Sequence, residues 1–333
     1  MKITALKLCS TLPGVLAILC PSAQADTFGT LSNEFTIDFV DIGNPGNAPD
    51  TTGAPSPVGS VGYAYKIGEY EISRDMIAKA SAAGALGLTL ADMNLFGGNI
   101  VTHPATGINW NEAARFVNWL NTSRGYQAAY KFATQPGAGG YDANDYIIPW
   151  TSGDVGYDPN NLYRNSNAQY VLPSENEWYK AAYYSGNGSV YYDYATQQDF
   201  AAPPQPVASG TASGTAVFGY VISNGPANVT EAGALSAYGT MGQSGNVSEW
   251  NESAFDGFNN SPYEGRTHRG GDWRSDLEPL RSLTRDLDDP TNSSIVIGFR
   301  VASVPEPSAI VSIWLGLVVL ASRRSRKPHR SVS

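Results

Sequence analysis

The sequence predicts an α+β protein that is loop-rich and has little regular structure, and two observations lead to this prediction. Strand-like and helix-like segments are mixed, without the regular strand–helix alternation of a doubly wound sheet. The chain holds 35 Gly, 21 Pro and 19 Tyr, while only 15% of its residues are charged. Gly and Pro favour turns and loops. The part between the two ends, about 280 residues, is enough for one large domain or two small ones.

Two segments in the first quarter of the chain alternate between apolar and polar residues, as strands do. They cover residues 35–40 and 63–72. The stretch between them, residues 43–62, is rich in Pro, Gly and Ala. Residues 201–215 have a similar composition, with Pro203, Pro204 and Pro206. Both stretches are predicted to be linkers or flexible loops.

Three helices are predicted from their capping residues. The first follows Ser73, a plausible N-cap, and ends near Gly84. The other two begin with a capping box, in which an N-cap side chain and a Glu three residues later satisfy each other's backbone donors. These boxes are Asn109 with Glu112, and Ser174 with Glu177. The second helix also has apolar residues at the spacing of one helical face: Trp110, Ala113, Ala114, Val117 and Leu120.

The N-terminal residues 1–25 have the three parts of a secretory signal peptide. A basic start precedes an apolar run, which ends at the small-residue cleavage site Ala23-Gln24-Ala25. Both cysteines of the chain, Cys9 and Cys20, lie in this segment. The sequence therefore predicts an exported protein whose mature form has no thiol.

The C-terminal residues 304–333 have a Pro-Glu-Pro sequence, an apolar run over 309–321 and a basic end. This order resembles the PEP-CTERM sorting tail, which an exosortase recognises and cuts. The apolar run is short against the roughly 20 residues that span a bilayer comfortably, which favours a transient membrane segment. A plain C-terminal anchor is the alternative. The resemblance implies the cell envelope or extracellular matrix of a Gram-negative-type bacterium, with the tail transiently in the inner membrane.

The chain thus divides into four parts: a signal peptide (1–25), an N-terminal strand and linker (26–61), a folded domain (62–303) and the sorting tail (304–333). Residues 26–303, the part between the two ends, contain 14 Lys and Arg and 29 Asp and Glu residues, so their formal charge is −15. Phosphate contacts require Lys and Arg. This balance argues against a nucleic-acid partner, and membrane contact is expected only through the tail.

Six motifs occur in the order in which one enzyme family has them. They cover residues 70–73, 103–113, 171–178, 245–250, 269–273 and 298–301. Together they resemble the formylglycine-generating enzyme, or sulfatase-modifying factor, family over nearly the whole of residues 62–303. The resemblance implies that family's variant of the C-type-lectin-like fold.

The resemblance also locates the family's catalytic positions. Formylglycine-generating members bind copper through two cysteines that follow the Arg-Gly-Gly motif, and the matching positions here fall near Ser275 and Leu280. Serine does not replace a thiolate as a soft-metal ligand. No copper is expected, and formylglycine generation by the cysteine/copper mechanism is excluded. Iron-dependent relatives need a histidine-rich site, whereas the mature domain has only His103 and His268, in separate motifs.

A ligand-binding cleft is predicted around the Arg-Gly-Gly motif. Its candidate residues are Trp273, Arg274, Ser275, Arg285 and Asp286. An aromatic ring can stack on a sugar or peptide, while Arg and Asp fix orientation through hydrogen bonds. For Trp273 the alternative is a place in the core. Two other arginines of the motifs, Arg269 and Arg300, are predicted to pair with buried carboxylates or carbonyls.

The motif at 245–250 resembles a loop that binds a structural calcium ion in catalytic relatives. Calcium takes oxygen ligands, which the side chains of Asn246 and Glu249 and the carbonyl of Val247 could supply. The alternative is a turn with Trp250 buried beneath it. Calcium is thus the one cofactor that the sequence suggests.

These inferences favour a cell-surface or exopolysaccharide-matrix protein without catalytic activity, which binds a glycan or another protein and is processed by an exosortase-type enzyme. The alternative is a metal-dependent oxidoreductase of the non-heme iron type within the sulfatase-modifying factor superfamily.

Overall fold

A computed structural model describes residues 24–219 and 224–305. Residues 1–23 of the predicted signal peptide and 306–333 of the predicted sorting tail lie outside these ranges. The helices are α1 (Arg74–Gly84), α2 (Trp110–Ser123) and α3 (Glu175–Tyr183). The strands are β1 (Gln24–Phe28), β2 (Phe35–Ile42), β3 (Tyr65–Gly68), β4 (Lys131–Phe132), β5 (Ile147–Ile148), β6 (Tyr170–Val171), β7 (Gln205–Pro206), β8 (Thr215–Ala216), β9 (Ser248–Ala254), β10 (Arg266–Arg269), β11 (Asp286–Asp288), β12 (Ile297–Gly298) and β13 (Ala302–Ser303).

The strands form two main sheets. The first has five strands in the order β1-β2-β3-β13-β6, all antiparallel, and joins the two ends of the described chain. The second has four strands in the order β11-β10-β9-β12, of which β12 runs parallel to β9. Short helices and strands separated by long loops confirm the prediction of a loop-rich mixed fold. Within the described ranges, no helix is long and apolar enough to cross a membrane.

All three predicted helices are present, and their caps hold as expected. The Ser73 side chain accepts a hydrogen bond from the backbone of Met76 at 3.3 Å at the start of α1. The other two capping boxes are complete, Asn109 with Glu112 before α2 and Ser174 with Glu177 before α3. Local side-chain chemistry therefore sets where these helices begin.

The strand predictions hold less well at their boundaries. β2 extends two residues beyond the predicted end, whereas β3 covers only part of the predicted segment 63–72. Beyond Gly68 the chain leaves the ladder, and the Ile72 amide donates to the Phe299 carbonyl at 2.9 Å. The polar–apolar alternation thus continues where the backbone has already turned towards α1.

The stretch 43–62 is not a loose linker. Asp50 and Val58 form a two-bond backbone bridge at 2.8 and 3.0 Å. The Tyr179 hydroxyl of α3 donates to the Asp50 carboxylate at 2.7 Å. These contacts fix the segment against α3, although its Pro- and Gly-rich composition predicted flexibility. The other suspected loop, 201–215, contributes β7 and the first residue of β8, which pair in parallel.

The largest hydrophobic core lies between the five-stranded sheet and the first two helices. Its largest members are aromatic: Phe28, Phe39, Trp110, Phe116, Tyr130, Tyr170, Trp250 and Phe299. A second cluster forms around α3, with Trp178, Tyr179 and Tyr183. Trp250 of the four-stranded sheet packs in the main core. This packing anchors the sheet and the loops that connect its strands.

Lys180 in α3 is fully buried, and its Nζ donates to the Asn44 carbonyl at 2.9 Å. Burial lowers the pKa of this lysine to about 8. A lowered lysine pKa gives stability that is present above the ordinary value near 10.5 and is lost as the pH falls through 8. We therefore expect Lys180→Met to raise the free energy of unfolding at pH 7 by about 1–3 kcal/mol.

Urea denaturation at pH 7, 9 and 10.5 measures this effect, and the gain should shrink towards the highest pH. Lys79→Met is the control, because Lys79 is a partly exposed lysine that pairs with Asp75 at 2.7 Å. Its effect should stay below about 1 kcal/mol at every pH. A gain for Lys180→Met that does not change with pH would contradict the lowered pKa.

Candidate functional site

A cavity of about 330 Å³ opens beside the four-stranded sheet. Its walls come from β9, β10, β11 and the loops after β10 and before β12. The polar residues that line it are Ser248, His268, Arg269, Asp272, Ser275, Thr284, Arg285, Asp286, Asp288 and Ser294. Cationic, anionic and hydroxyl groups therefore meet in one concave site, the arrangement that small polar ligands need.

One carboxylate holds both arginines of the cavity. Glu175, the first residue of α3, accepts from Arg269 Nε at 2.7 Å and from Arg285 Nε and Nη2 at 2.8 and 2.7 Å. Arg269 is fully buried, which confirms the prediction that it pairs with a buried carboxylate. Arg285 also lies over the Phe255 ring at 4.0 Å. Glu175 thus fixes the position of both guanidinium groups and offsets part of their charge.

The cavity wall also contains acidic residues. Asp272 accepts from the Ser275 hydroxyl at 3.0 Å, and Arg274 lies 3.7 Å from it. Asp286 is exposed and Asp288 partly so, and neither pairs with a cation within the described part of the chain. Since Glu175 already binds the arginines, the mouth of the cavity should repel anions and accept hydroxyl or cationic groups.

His268 also lines the cavity. It is the cross-strand neighbour of Asp286 on β11, and its Nδ1 is 2.7 Å from the Ser248 hydroxyl oxygen on β9. Burial lowers the pKa of His268 below its ordinary value of 6.5. The imidazole is therefore neutral at pH 7 and serves as a hydrogen-bonding group. His103, the other histidine considered from sequence, lies before α2 and does not line this cavity.

The structure brings three of the five predicted cleft residues to the cavity wall, namely Ser275, Arg285 and Asp286. Arg274 is half-buried beside the cavity and is held by Asp272. Trp273 is only 1% exposed and packs in an apolar cluster. The alternative position for this tryptophan, in the core, is the observed one. Its ring supports the loop from beneath instead of facing a ligand.

The side chain of Glu249, a predicted calcium ligand, serves a buried ion pair. Arg300 Nη2 and Nε donate to its two carboxylate oxygens, both at 2.6 Å, and Trp178 Nε1 donates at 2.7 Å. Arg300 also donates to backbone carbonyls of β3 and of the loop before β9. The prediction that Arg300 pairs with a buried carboxylate is confirmed.

The Asn246 side chain, another predicted calcium ligand, is also engaged, and Glu71 joins it to the backbone of Val247. Asn246 donates to Glu71 at 2.6 Å and accepts from the Ala227 amide at 2.8 Å. The Val247 amide donates to the same Glu71 carboxylate at 3.3 Å. Burial, together with the neighbouring Glu249, raises the pKa of Glu71 well above its ordinary range.

These contacts do not fit a calcium site, because a calcium ion needs several free oxygen ligands. Asn246 and Glu249 already use their oxygens within the protein, and the Arg300 charge lies beside Glu249. Across the described ranges, no three His, Cys, Asp or Glu residues converge in a geometry that would hold a metal ion. The motif at 245–250 forms a hydrogen-bonded turn over the buried Trp250, the second alternative considered from sequence.

Residues 61–304, which make up most of the chain, match the family model of the sulfatase-modifying factor enzyme 1-like domain. The protein belongs to this family. No curated protein sequence matches the chain. Among solved structures, variable protein 1 of Treponema denticola aligns over 86% of this chain and all of its own, with a TM-score of 0.54 and 19% identity. The crystal structure of CarF aligns over 81% of this chain and 99% of its own, with a TM-score of 0.53 and 19% identity. At such identity the likeness shows a shared fold.

Two residues in the region of the cavity fall near the positions where formylglycine-generating members of the family carry cysteines. Ser275, which falls near one of the family's cysteine positions, lines the cavity and hydrogen-bonds Asp272. Leu280, near the other, is fully buried and packs against Tyr194 and Ala216. The region that carries the thiols in formylglycine-generating members is therefore filled here by a hydroxyl and an aliphatic side chain.

Sequence reasoning missed Glu175, His268, Ser248 and Asp288 as residues that build the cavity. Glu175 is 94 residues from Arg269 and 110 from Arg285, so no local pattern connects them. The alternation along β10 and β11 could have placed His268 beside Asp286, had those short strands been recognised. Three-residue and four-residue strands carry too little alternation for that.

Proposed function

We propose that this protein is an exported cell-surface or exopolysaccharide-matrix protein whose sulfatase-modifying factor domain binds a glycan or protein without catalysing a reaction on it. The observation that carries the proposal is the cavity beside β9 and β10, where the positions near the family's cysteines hold Ser275 and Leu280. A polar cavity without the catalytic thiols favours binding over oxidation.

The chemistry of the cavity supports a hydroxyl-rich or cationic group as the ligand. Within the described part of the chain the Asp286 carboxylate accepts no hydrogen bond, Asp288 accepts one from Asn292 at 3.1 Å through a single oxygen, and Arg285 is held in place to donate. Neutral His268 and Ser248 add groups that can both donate and accept. Sugar hydroxyls and the ammonium or guanidinium groups of a protein chain both match this set.

Export and sorting belong to the same proposal. The sequence of residues 1–25 supports secretion, and the Pro-Glu-Pro tail supports processing by an exosortase-type enzyme at the inner membrane of a Gram-negative-type bacterium. The family match supports the C-type-lectin-like variant of the fold. A domain delivered to the envelope with an acidic surface suits contact with matrix polymers or surface proteins.

The cavity is tested with Asp286→Asn. Ligands are first sought by applying the purified full chain to a glycan array and by pull-down from the envelope fraction of the producing cells. We expect the variant to bind the ligand so identified about tenfold to a hundredfold more weakly, because a hydrogen bond to a charged group contributes about 1.5–3 kcal/mol. Calorimetric titration measures the change.

Asp199→Asn is the matched control, since Asp199 is also exposed and does not line the cavity. Its affinity should equal that of the unaltered protein, and both variants should melt at the same temperature. Equal binding by Asp286→Asn and the unaltered chain would refute the cavity as the binding site. A glycan array and pull-down without any ligand would refute the binding function itself.

A further inference from the structure

A second polar cavity, of about 360 Å³, lies towards the other end of β9. It is lined by Tyr63, Asp158, Asn161, Arg164, Glu252 and Asn259, among others. Ser248 borders the first cavity and Glu252 the second. These two residues are four positions apart on one strand, roughly 13 Å by the rise of a strand. The second cavity is therefore a separate site, which none of the predicted binding residues line.

The floor of this cavity is a buried ionic network. Arg164 Nε donates to Glu252 at 2.5 Å, and its Nη2 donates to Glu177 at 3.2 Å. The Tyr63 hydroxyl donates to Glu177 at 2.6 Å, and the Tyr130 hydroxyl to Glu252 at 2.9 Å. Since the network joins α3, β9 and the loop that carries Arg164, the floor is rigid before any ligand arrives.

The walls offer both donors and acceptors. Asp158 Oδ1 accepts from the backbone and side chain of Asn160 at 2.9 and 3.1 Å, while its Oδ2 has no partner in the described ranges. Asn161 Nδ2 donates to Glu252 at 2.9 Å. The side-chain oxygen of Asn259 accepts from the Ala254 amide at 2.8 Å, which leaves its amide nitrogen as a donor. A wall with both donors and acceptors suits hydroxyl groups, which can donate and accept hydrogen bonds at the same time.

An exposed aromatic residue lies between two residues of the cavity lining. Phe258 is 68% exposed and lies between Gly257 and Asn259, both of which line the cavity. It contacts no other ring or cation in the described part of the chain. A large, exposed apolar side chain next to a polar cavity has no role in the core, whereas it can cover the apolar face of a ring-shaped ligand.

The charge of the cavity narrows the ligand class further. Glu177, Glu252 and Asp158 contribute three negative charges, whereas Arg164 and the buried Arg266, which donates to Asn259 at 3.0 Å, contribute two positive ones. The resulting negative potential disfavours anionic ligands. We infer that this cavity is a second binding site, which takes neutral sugar residues of a polysaccharide between the amide-lined wall and the Phe258 ring. This site is independent of the first cavity and extends the proposed function to a two-site contact.

The test is calorimetric titration of the full chain with neutral oligosaccharides built from glucose, mannose, galactose or N-acetylglucosamine. At least one should bind, and Phe258→Ala should weaken that binding about fivefold to tenfold through loss of the ring contact. Phe200→Ala is the matched control, because Phe200 is 63% exposed and lines neither cavity. The control should bind as the unaltered chain does. Asp158→Ala should also weaken binding, without lowering the melting temperature.

Three results would overturn the second site. One is that no neutral oligosaccharide binds; another is that uronic-acid oligosaccharides bind more tightly than neutral ones. The third is neutral-sugar binding that Asp286→Asn weakens and Phe258→Ala leaves unchanged, which would assign the sugar to the first cavity. That last outcome supports the proposed function while removing the second site, so the two proposals fail separately.

Discussion

Arg300→Ala should lower the free energy of unfolding by about 3–5 kcal/mol, the usual cost of removing one partner of a buried ion pair. Arg300 and Glu249 are both fully buried and share two hydrogen bonds at 2.6 Å. Without the guanidinium, the Glu249 carboxylate remains in the core beside Glu71, whose pKa burial already raises. Guanidinium chloride denaturation of the full chain measures the loss.

A double substitution separates the contribution of the two charges to stability from the contribution of side-chain packing. Arg300→Met combined with Glu249→Gln removes both charges, so the double variant should be more stable than Arg300→Met alone. Arg124→Ala is the exposed control, because its pair with Asp26 at 3.2 Å is partly solvated. That change should cost less than about 1 kcal/mol. If Arg300→Ala costs no more than Arg124→Ala, the buried pair is not a main support of the fold.

Glu175→Ala should cost about 3 kcal/mol and also abolish ligand binding in the first cavity. The substitution leaves Arg269, which is fully buried, without its carboxylate partner. Arg269 keeps an acceptor in the Thr284 carbonyl at 2.9 Å, so we expect the lower end of the usual range. Arg285 loses both of its hydrogen bonds to Glu175 and no longer has a fixed position.

Denaturation and calorimetric titration of the same preparation measure the two effects together. Glu278→Ala serves as the control, since Glu278 pairs with Arg281 at 3.0 Å but is 61% exposed. It should leave stability within about 1 kcal/mol and binding unchanged. Normal affinity in a folded Glu175→Ala variant would mean that the arginines do not contribute to the ligand site.

The parts of the fold that the sequence predicts are those set by local chemistry. Asn109 and Ser174 are recognisable as caps because the residue three positions later completes the capping box. The anchoring of the segment 43–62 is not predictable from local sequence, because its partner, Tyr179, lies far along the chain. The flexibility that Pro and Gly suggest is overcome by tertiary contacts that no local pattern contains.

The residues of the candidate site likewise include some that the sequence predicts and others that depend on distant contacts. The sequence predicts Ser275, Arg285 and Asp286 as cleft residues because a family motif precedes them and their side chains suit a cleft. Trp273 was ambiguous, since a tryptophan after a Gly-Gly turn can face either the ligand or the core, and its packing decides the matter. The calcium interpretation of Asn246 and Glu249 depends on side-chain oxygens that accept hydrogen bonds from distant groups in the folded chain, the Ala227 amide and Arg300 respectively.

The claim that this domain binds without redox catalysis is tested most directly by the metal content of the purified full chain, measured by inductively coupled plasma mass spectrometry. We expect iron and copper far below one atom per chain, in a protein that still binds its glycan or protein ligand. One iron or copper atom per chain, lost in His103→Ala or His268→Ala, would contradict the claim. That result would make the protein a metal-dependent oxidoreductase of its family.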